Sequence, residues 1–99
     1  MFHKYKATRT ELDGIKFPSK KEAAHYVLLK SLIKSGQVVF FLRQVPFDLP
    51  GPTKYTVDFQ EFWADGSIRF VDVKGMQTTE FIRAKKQVEA IYPVTIEIV

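Results

Sequence analysis

The chain has 99 residues, of which 45% are hydrophobic, and its formal net charge is +4. This length fits a single domain over residues 1–99, and the apolar content is too high for a disordered chain. No run approaches the roughly 18 apolar residues of a membrane span, and a sequence without cysteine excludes disulfide scaffolds and zinc sites built on thiolates.

The N-terminal segment is basic. Residues 1–21 hold six Lys or Arg side chains against Glu11 and Asp13, and we expect residues 1–10 to form a flexible arm. Because the segment lacks the apolar core of a secretory signal and the chain lacks cysteine, we expect a cytoplasmic protein with no membrane partner. A short extended piece is expected near Ile15 to Phe17.

A helix is predicted over about residues 19–35. Ser19 followed by Glu22 has the spacing of a capping box, and Gly36 suits the position just after a helix. Glu22 therefore has two interpretations, a capping residue or a functional acid. Apolar residues at helical spacing predict a buried face that carries Ala24, Val27, Leu28 and Leu32.

Three strands are predicted after this helix. The first covers about residues 37–45, is rich in β-branched and aromatic residues, and continues into an edge-like extension at Pro46. The other two flank the turn Ala64-Asp65-Gly66.

A second helix and a short last strand complete the predicted elements. Thr78 or Thr79 would cap the helix, Pro93 ends it, and the strand lies in VTIEIV. The order helix, three strands, helix, strand is typical of an α/β or α+β domain with a mixed sheet of about four strands flanked by helices. The face of the second helix is expected to carry Phe81, Ala84, Val88 and Ile91.

The turn length decides the register of the hairpin. A two-residue turn at Asp65-Gly66 would set apolar residues against charged ones, whereas the three-residue turn matches apolar with apolar. We therefore predict the longer turn. On one face the predicted pairs are Phe59 with Val71, Val57 with Val73 and, as an ion pair, Glu61 with Arg69.

Two carboxylates meet on the opposite face. The same register sets Asp58 opposite Asp72, and Lys74 shares their face. Facing carboxylates are destabilising by up to about 1 kcal/mol, so a compensating charge is expected. Hard oxygen ligands of this kind suit Mg²⁺ or Mn²⁺. The alternative is an exposed face whose charges are hydrated, with Lys74 bridging the acids.

These residues resemble the motif of the PD-(D/E)XK nuclease superfamily, an acid on one strand followed by acid-x-Lys on the next. Asp58 in YTVDF matches the first acid, and Asp72-Val73-Lys74 in FVDVKG matches the rest across a 13-residue gap. Val57 stands where the motif has proline. From about Glu11 onward, including LDGIKFPSKKEAAHYVLLKSLIKSGQV and RQVPFDL, the chain is similar to a small family of phage-borne proteins related to Holliday-junction resolvases.

The resemblance implies a restriction-endonuclease-like core and a metal-dependent endodeoxyribonuclease. Its substrate would be branched or Holliday-junction DNA in phage recombination or DNA processing, in the host cytoplasm if the protein is phage-encoded. Asp58, Asp72 and the Val73 backbone carbonyl would bind Mg²⁺ or Mn²⁺, Glu22 would be a further catalytic and metal-binding acid, and Lys74 would stabilise charge on the phosphate. The alternative is a catalytically silent member that binds nucleic acid within a larger complex.

Basic side chains are expected to bind DNA phosphates, which is a salt-sensitive and sequence-independent contribution. A homodimer with two active sites is also expected, because so small a chain has little surface for a branched substrate. Aromatic residues beyond what one small core absorbs are candidates for its interface: Phe2, Tyr5, Phe40, Phe41, Phe47 and Trp63. The expected nucleic-acid-binding residues are Lys4, Lys6, Arg9, Lys20, Lys21, Gln44, Arg83, Lys85 and Lys86.

Overall fold

The computed structural model describes residues 9–99. Lys4 and Lys6 of the predicted arm, with Phe2 and Tyr5, therefore lie outside the described residues. The described chain confirms the α+β class, with two helices, a two-stranded sheet and a four-stranded mixed sheet. Its elements are β1 (Thr10–Leu12), β2 (Ile15–Phe17), α1 (Lys20–Lys34), β3 (Val38–Leu49), β4 (Thr53–Trp63), β5 (Ile68–Asp72), α2 (Thr79–Ile91) and β6 (Ile96–Ile98).

A small hairpin of β1 and β2 precedes the first helix. Asp13 and Gly14 form its turn with φ angles of 52° and 76°, the left-handed pair that a two-residue hairpin turn requires. Thr10 belongs to β1 and pairs with Phe17, so this residue is not part of the predicted arm, of which residues 1–8 lie outside the described residues. Among residues 9–99, no helix is long and apolar enough to cross a membrane.

Helix α1 begins and ends as predicted but buries a different face. The Ser19 side chain accepts a hydrogen bond from the Glu22 backbone N–H at 3.1 Å, and Gly36 follows the helix with a φ of 82°. The expected face is wrong, because Ala24, Val27 and Leu28 are exposed. The face that packs on the sheet includes the carboxylate of Glu22 and the phenol of Tyr26, and a pattern of apolar residues does not predict that such side chains are buried. Its buried members are Glu22, Ala23, Tyr26 and Leu29.

The four-stranded sheet has the order β3-β4-β5-β6, with β5 and β6 parallel and the other neighbours antiparallel. The predicted register of the β4–β5 hairpin is confirmed, since Phe59 pairs with Val71 and Phe62 with Ile68. Gly66 supplies the left-handed residue of the three-residue turn with a φ of 91°. Strand β3 is an edge strand, and it continues through Pro46 to Leu49.

Helices α1 and α2 pack against two separate hydrophobic clusters. The α1 cluster has the buried members Phe17, Ala23, Tyr26, Leu29, Val38, Phe59, Val71 and Val73. The α2 cluster has the buried members Leu49, Tyr55, Val57, Val88 and Ile96. Val57 and Val73 therefore lie in different clusters, and their predicted pairing on one face is wrong.

The long β3–β4 hairpin changes the face that it presents to the helices at Gln44. Arg43 lies over the ring of Phe17 on the α1 side, whereas Val45, of the same parity, packs in the α2 cluster. Between them Gln44 has a φ of 53°, a left-handed conformation that interrupts strand alternation. We call this position the Gln44 kink.

The predicted ion pair of Glu61 with Arg69 is also wrong. Glu61 is 1% exposed, and its carboxylate bonds to His25 Nε2 of α1 at 2.7 Å and to Trp63 Nε1 at 3.0 Å. Arg69 instead donates to Glu97 of β6 at 2.8 Å. His25 and Glu97 come from distant parts of the chain, which a hairpin register does not take into account.

Helix α2 is capped by Thr78, whose side chain accepts from the Phe81 backbone N–H at 3.1 Å. Val88 is fully buried on its inner face. Ile91, expected on the same face, is 51% exposed because it is the last helical residue and lies beyond the cluster.

Candidate active site

Asp58 and Asp72 lie where β4 and β5 separate. The backbone pairing of the two strands ends at Phe59 and Val71, and beyond it each carboxylate binds the opposite strand. Asp72 Oδ1 accepts from the Asp58 backbone N–H at 2.8 Å, and Asp58 Oδ2 accepts from the Val73 backbone N–H at 2.9 Å. The two acids are thus adjacent, as expected. Their carboxylates accept the hydrogen bonds that backbone carbonyl groups would accept in a regular pair of strands.

Glu22 reaches the same place from α1. Its carboxylate points into the protein, is 3% exposed, and accepts from the side chains of Arg43 at 3.4 Å and Gln44 at 3.3 Å. The capping interaction of this segment uses the Glu22 backbone N–H and leaves its carboxylate free for these contacts. The capping role therefore does not account for the buried acid.

Gln44 connects the acids of the helix and the sheet. Its Nε2 lies 3.3 Å from Glu22 Oε2 and 3.4 Å from Asp58 Oδ1. Both distances are long for hydrogen bonds, so the amide is weakly held between two carboxylates. A positively charged group would also be favourable at this position between the Glu22 and Asp58 carboxylates. Gln44, expected to contact nucleic acid, is placed by its left-handed backbone inside the acidic group.

Tyr55 is a residue of this site that the sequence analysis missed. It is 6% exposed, and its hydroxyl donates a hydrogen bond to Asp72 Oδ2. Burial and the adjacent Asp72 carboxylate raise the pKa of Tyr55, so the phenol remains a donor at physiological pH. A signal was available, because a buried tyrosine hydroxyl normally requires a partner.

Burial shifts the titration of two of the three acids. The pKa of Glu22 is raised by desolvation and then by the negative charge of Asp58. The pKa of Asp72 is raised by desolvation, although the Tyr55 hydroxyl and the Asp58 N–H oppose that rise. The site therefore concentrates negative charge at a stability cost, a common property of functional sites.

Lys74 supplies positive charge next to the acids. Its charge lowers the pKa of both Glu22 and Asp72 and so partly offsets the effect of burial. The Lys74 ammonium lies 4.9 Å from the centre of the Phe81 ring, a cation–π contact with the first turn of α2. Lys21 reaches the same segment, since its Nζ donates to the Lys74 carbonyl at 3.2 Å.

The donor set has the chemistry that a hard divalent cation needs. Mg²⁺ usually takes one or two protein carboxylates and completes its shell with water and phosphate oxygens. Asp58 and Asp72 each accept two hydrogen bonds, which leaves free positions because a carboxylate has about four. Within residues 9–99, no group of three or more His, Cys, Asp or Glu side chains is arranged to hold a metal ion. A metal here would therefore depend on two carboxylates, the Val73 carbonyl and ligands from outside the chain.

The other basic residues expected to bind DNA are distributed over the surface. Arg9, Lys20, Arg83 and Lys86 are exposed. Lys85 is half-buried and forms an ion pair with Glu89 at 3.1 Å, one turn along α2. Of the expected nucleic-acid-binding set, the structure brings Lys21 and Gln44 to the acidic site.

Comparison with known proteins adds a family assignment. No curated protein sequence matches the chain. A family model described as "Protein of unknown function (DUF1064)" matches residues 2–97. Because this match covers nearly the whole chain, the protein belongs to the DUF1064 family.

Proposed function

We propose that this protein is a metal-dependent endonuclease that hydrolyses DNA phosphodiester bonds. The observation that carries the proposal is that Gln44 bridges Glu22 and Asp58, that Asp58 and Asp72 are adjacent, and that burial raises the pKa of Glu22 and Asp72 while the Lys74 charge opposes that rise. The resemblance to the PD-(D/E)XK motif supports the same assignment. We further propose branched or Holliday-junction DNA as the substrate, a homodimer as the active form and the cytoplasm as its location.

Each residue of the site has a separate role in this proposal. Asp58, Asp72 and the Val73 carbonyl would hold Mg²⁺ or Mn²⁺, and Glu22 would be a further acid beside them. A bound divalent cation stabilises the negative charge that develops on phosphate oxygens during hydrolysis. Lys74 adds its ammonium charge to the same region.

Residues around the acids would position them. The Tyr55 hydroxyl and the Asp58 N–H hold both oxygens of Asp72, so this carboxylate has one orientation before substrate arrives. Fixed orientation of charged groups is a large part of catalytic electrostatics, because no reorganisation is needed during the reaction.

DNA would approach over the basic surface near the first turn of α1. Lys20 and Lys21 are exposed there, and Lys21 is already in contact with the Lys74 backbone. Contacts of this kind bind phosphates without reading sequence, and they predict binding that weakens as salt rises. Arg9, Arg83 and Lys86 would extend the contact surface.

The test is cleavage of labelled four-way junction, fork, single strand and linear duplex in Mg²⁺, Mn²⁺ or EDTA. We expect metal-dependent cleavage that falls by at least about a hundredfold in Asp72→Asn and in Lys74→Met. Asp48→Asn is the matched control, because Asp48 is an exposed acid whose partner is Lys54 at 3.7 Å. Cleavage that is unchanged in Asp72→Asn, or that persists in EDTA, refutes the assignment.

One observation favours the alternative of a silent nucleic-acid-binding protein. Both oxygens of Asp72 already accept hydrogen bonds from the protein, which is compatible with a purely structural acid. Fluorescence anisotropy with the same DNAs separates the two functions. A silent protein would bind DNA without cleaving it, and metal would change neither its affinity nor its melting temperature.

A further inference from the structure

Three apolar side chains cross the sheet in one row on the face opposite α1. Phe40 pairs with Phe62, and Phe62 pairs with Ile68, so the row spans β3, β4 and β5. The rings of Phe40 and Phe62 are stacked with centroids 4.3 Å apart and planes 8° apart. We call Phe40, Phe62 and Ile68, with Leu42 in the next row, the apolar ladder.

The described chain leaves the apolar ladder uncovered. Phe41, the neighbour of Phe40, packs against Phe59 in the α1 cluster, so alternation turns Phe40 to the other face. Helix α2 covers that face from Phe70 onward. As a result Phe40 and Leu42 are each 46% exposed and Ile68 is 52% exposed, and an open groove of about 610 Å³ continues beside Ile68.

The edge of this face is poorly suited to strand addition. Strand β3 has a bulge between Val38 and Phe40, a left-handed residue at Gln44 and a proline at position 46. Each of these features interrupts the row of backbone groups that an added strand would pair with. A partner of the apolar ladder would therefore pack on the face of the sheet and leave its edge unpaired.

Charge distinguishes this surface from the exposed apolar side chains of helix α1. The members of the ladder carry no charge, and Arg69 and Glu97 in the adjacent groove neutralise each other through two hydrogen bonds. Val27 and Leu28 on α1 are also exposed. Lysines follow the same side of that helix, so two copies would repel each other there. Those exposed lysines are Lys20, Lys21, Lys30 and Lys34.

We propose that the apolar ladder is the surface on which a second copy of this chain packs, sheet face against sheet face. A neutral apolar surface is complementary to itself, whereas DNA or another polyanion would find no positive charge on it. This surface would be the interface of the homodimer that belongs to the proposed function, on which the inference rests. The inference is tested by mass and not by cleavage, so either can fail without the other.

The order of residues in the ladder suggests how the copies are related. A two-fold axis that runs along the strands and passes over Phe62 places Phe40 of one copy on Ile68 of the other. The same contact then occurs twice, as an isologous interface requires. This axis also keeps the two acidic sites at the same end of the dimer, because it does not reverse the direction of the strands.

Sedimentation and light scattering of the full chain, from about 1 µM to about 1 mM, measure the association. We expect twice the chain mass of 11.5 kDa. Ile68→Lys is expected to raise the dimer dissociation constant by about a hundredfold or more, because it sets a charge against an apolar surface. Leu28→Lys is the matched control, since Leu28 is 49% exposed on α1, and it should leave the dimer intact.

A mixing experiment tests the arrangement itself. Phe40→Glu alone and Ile68→Lys alone should each be monomeric, while an equal mixture should dimerise through a Glu–Lys contact between the two chains. Circular dichroism and melting curves of each variant establish that it is folded. A wild type that stays monomeric up to about 1 mM, a dimer sensitive to Leu28→Lys but not to Ile68→Lys, or a mixture of folded variants that stays monomeric overturns the proposal.

Discussion

Tyr55→Phe isolates the contribution of the hydroxyl that holds Asp72. The substitution removes one oxygen atom from a residue that is 6% exposed, and it leaves a carboxylate that is 1% exposed with one donor fewer. Hydrogen bonds to charged groups contribute about 1.5–3 kcal/mol, more than neutral ones. We expect a loss of about 2 kcal/mol in the free energy of unfolding at neutral pH, which corresponds to about 8–16 °C in melting temperature for a domain of this size.

The loss should depend on pH in a defined direction. Burial raises the pKa of Asp72 above its ordinary value of 3.8, and the Tyr55 hydroxyl opposes that rise. Tyr55→Phe therefore raises the pKa of Asp72 further. For a group with a raised pKa, stability is greatest below the ordinary value and is lost as pH rises through the folded-state value. This pH-dependent loss of stability is larger in Tyr55→Phe than in wild type, because the pKa of Asp72 is higher in the variant. The difference in the free energy of unfolding between the two proteins therefore grows with pH.

Urea unfolding of both proteins at several pH values measures this difference. Tyr92→Phe is the matched control, because the Tyr92 hydroxyl donates to the neutral carbonyl of Asp48 at 2.7 Å. That control should lose only about 1 kcal/mol, with little dependence on pH. At the acidic end the Tyr55→Phe difference should also fall toward about 1 kcal/mol, since Asp72 is then neutral. A Tyr55→Phe difference that is equally large at acidic and neutral pH refutes the assigned role of the hydroxyl.

Three other changes test separate parts of the structure. Glu22→Gln should melt at a higher temperature than wild type at neutral pH, because it removes a buried carboxylate whose pKa is raised. The control Glu11→Gln changes an exposed carboxylate and should melt at the wild-type temperature. Equal melting temperatures for Glu22→Gln and wild type would contradict the prediction. Mg²⁺ at about 100 times its dissociation constant should stabilise wild type by about 2.7 kcal/mol in thermal unfolding, and an equal gain in Asp58→Asn would place the metal elsewhere. Leu29→Ala should lower the free energy of unfolding in urea by about 2–5 kcal/mol, because the side chain is fully buried. A comparable loss in Leu28→Ala would mean that α1 buries the face that the apolar pattern predicts and not the face described above.

The parts of the fold that local chemistry determines could be predicted from sequence. Ser19 and Thr78 begin their helices as capping rules indicate. The β4–β5 register followed from matching apolar residues across a three-residue turn, because a slip of one residue would have exposed Phe59. That register alone predicts that Asp58 lies close to Asp72.

The remaining features depend on contacts between distant segments. The apolar pattern predicts the wrong face of α1, because the buried stripe includes Glu22 and Tyr26, whose polar groups bond to residues in other segments of the chain. The left-handed backbone of Gln44 has no local signal, since this conformation is mostly adopted by Gly, Asn and Asp. Strand alternation places Val57 on the same face as Phe59 and therefore wrongly assigns Val57 to the α1 cluster.

The position of the acidic site between the two hydrophobic clusters has a consequence for folding. Glu22 extends from the helix of the α1 cluster, whereas Asp72 is held by Tyr55 of the α2 cluster. The complete group of acids can therefore form only after both clusters have assembled around the long hairpin. A partly folded chain would have one cluster and no complete site. Hydrogen exchange should then show the Asp58 and Val73 amides opening with the less stable cluster, before global unfolding.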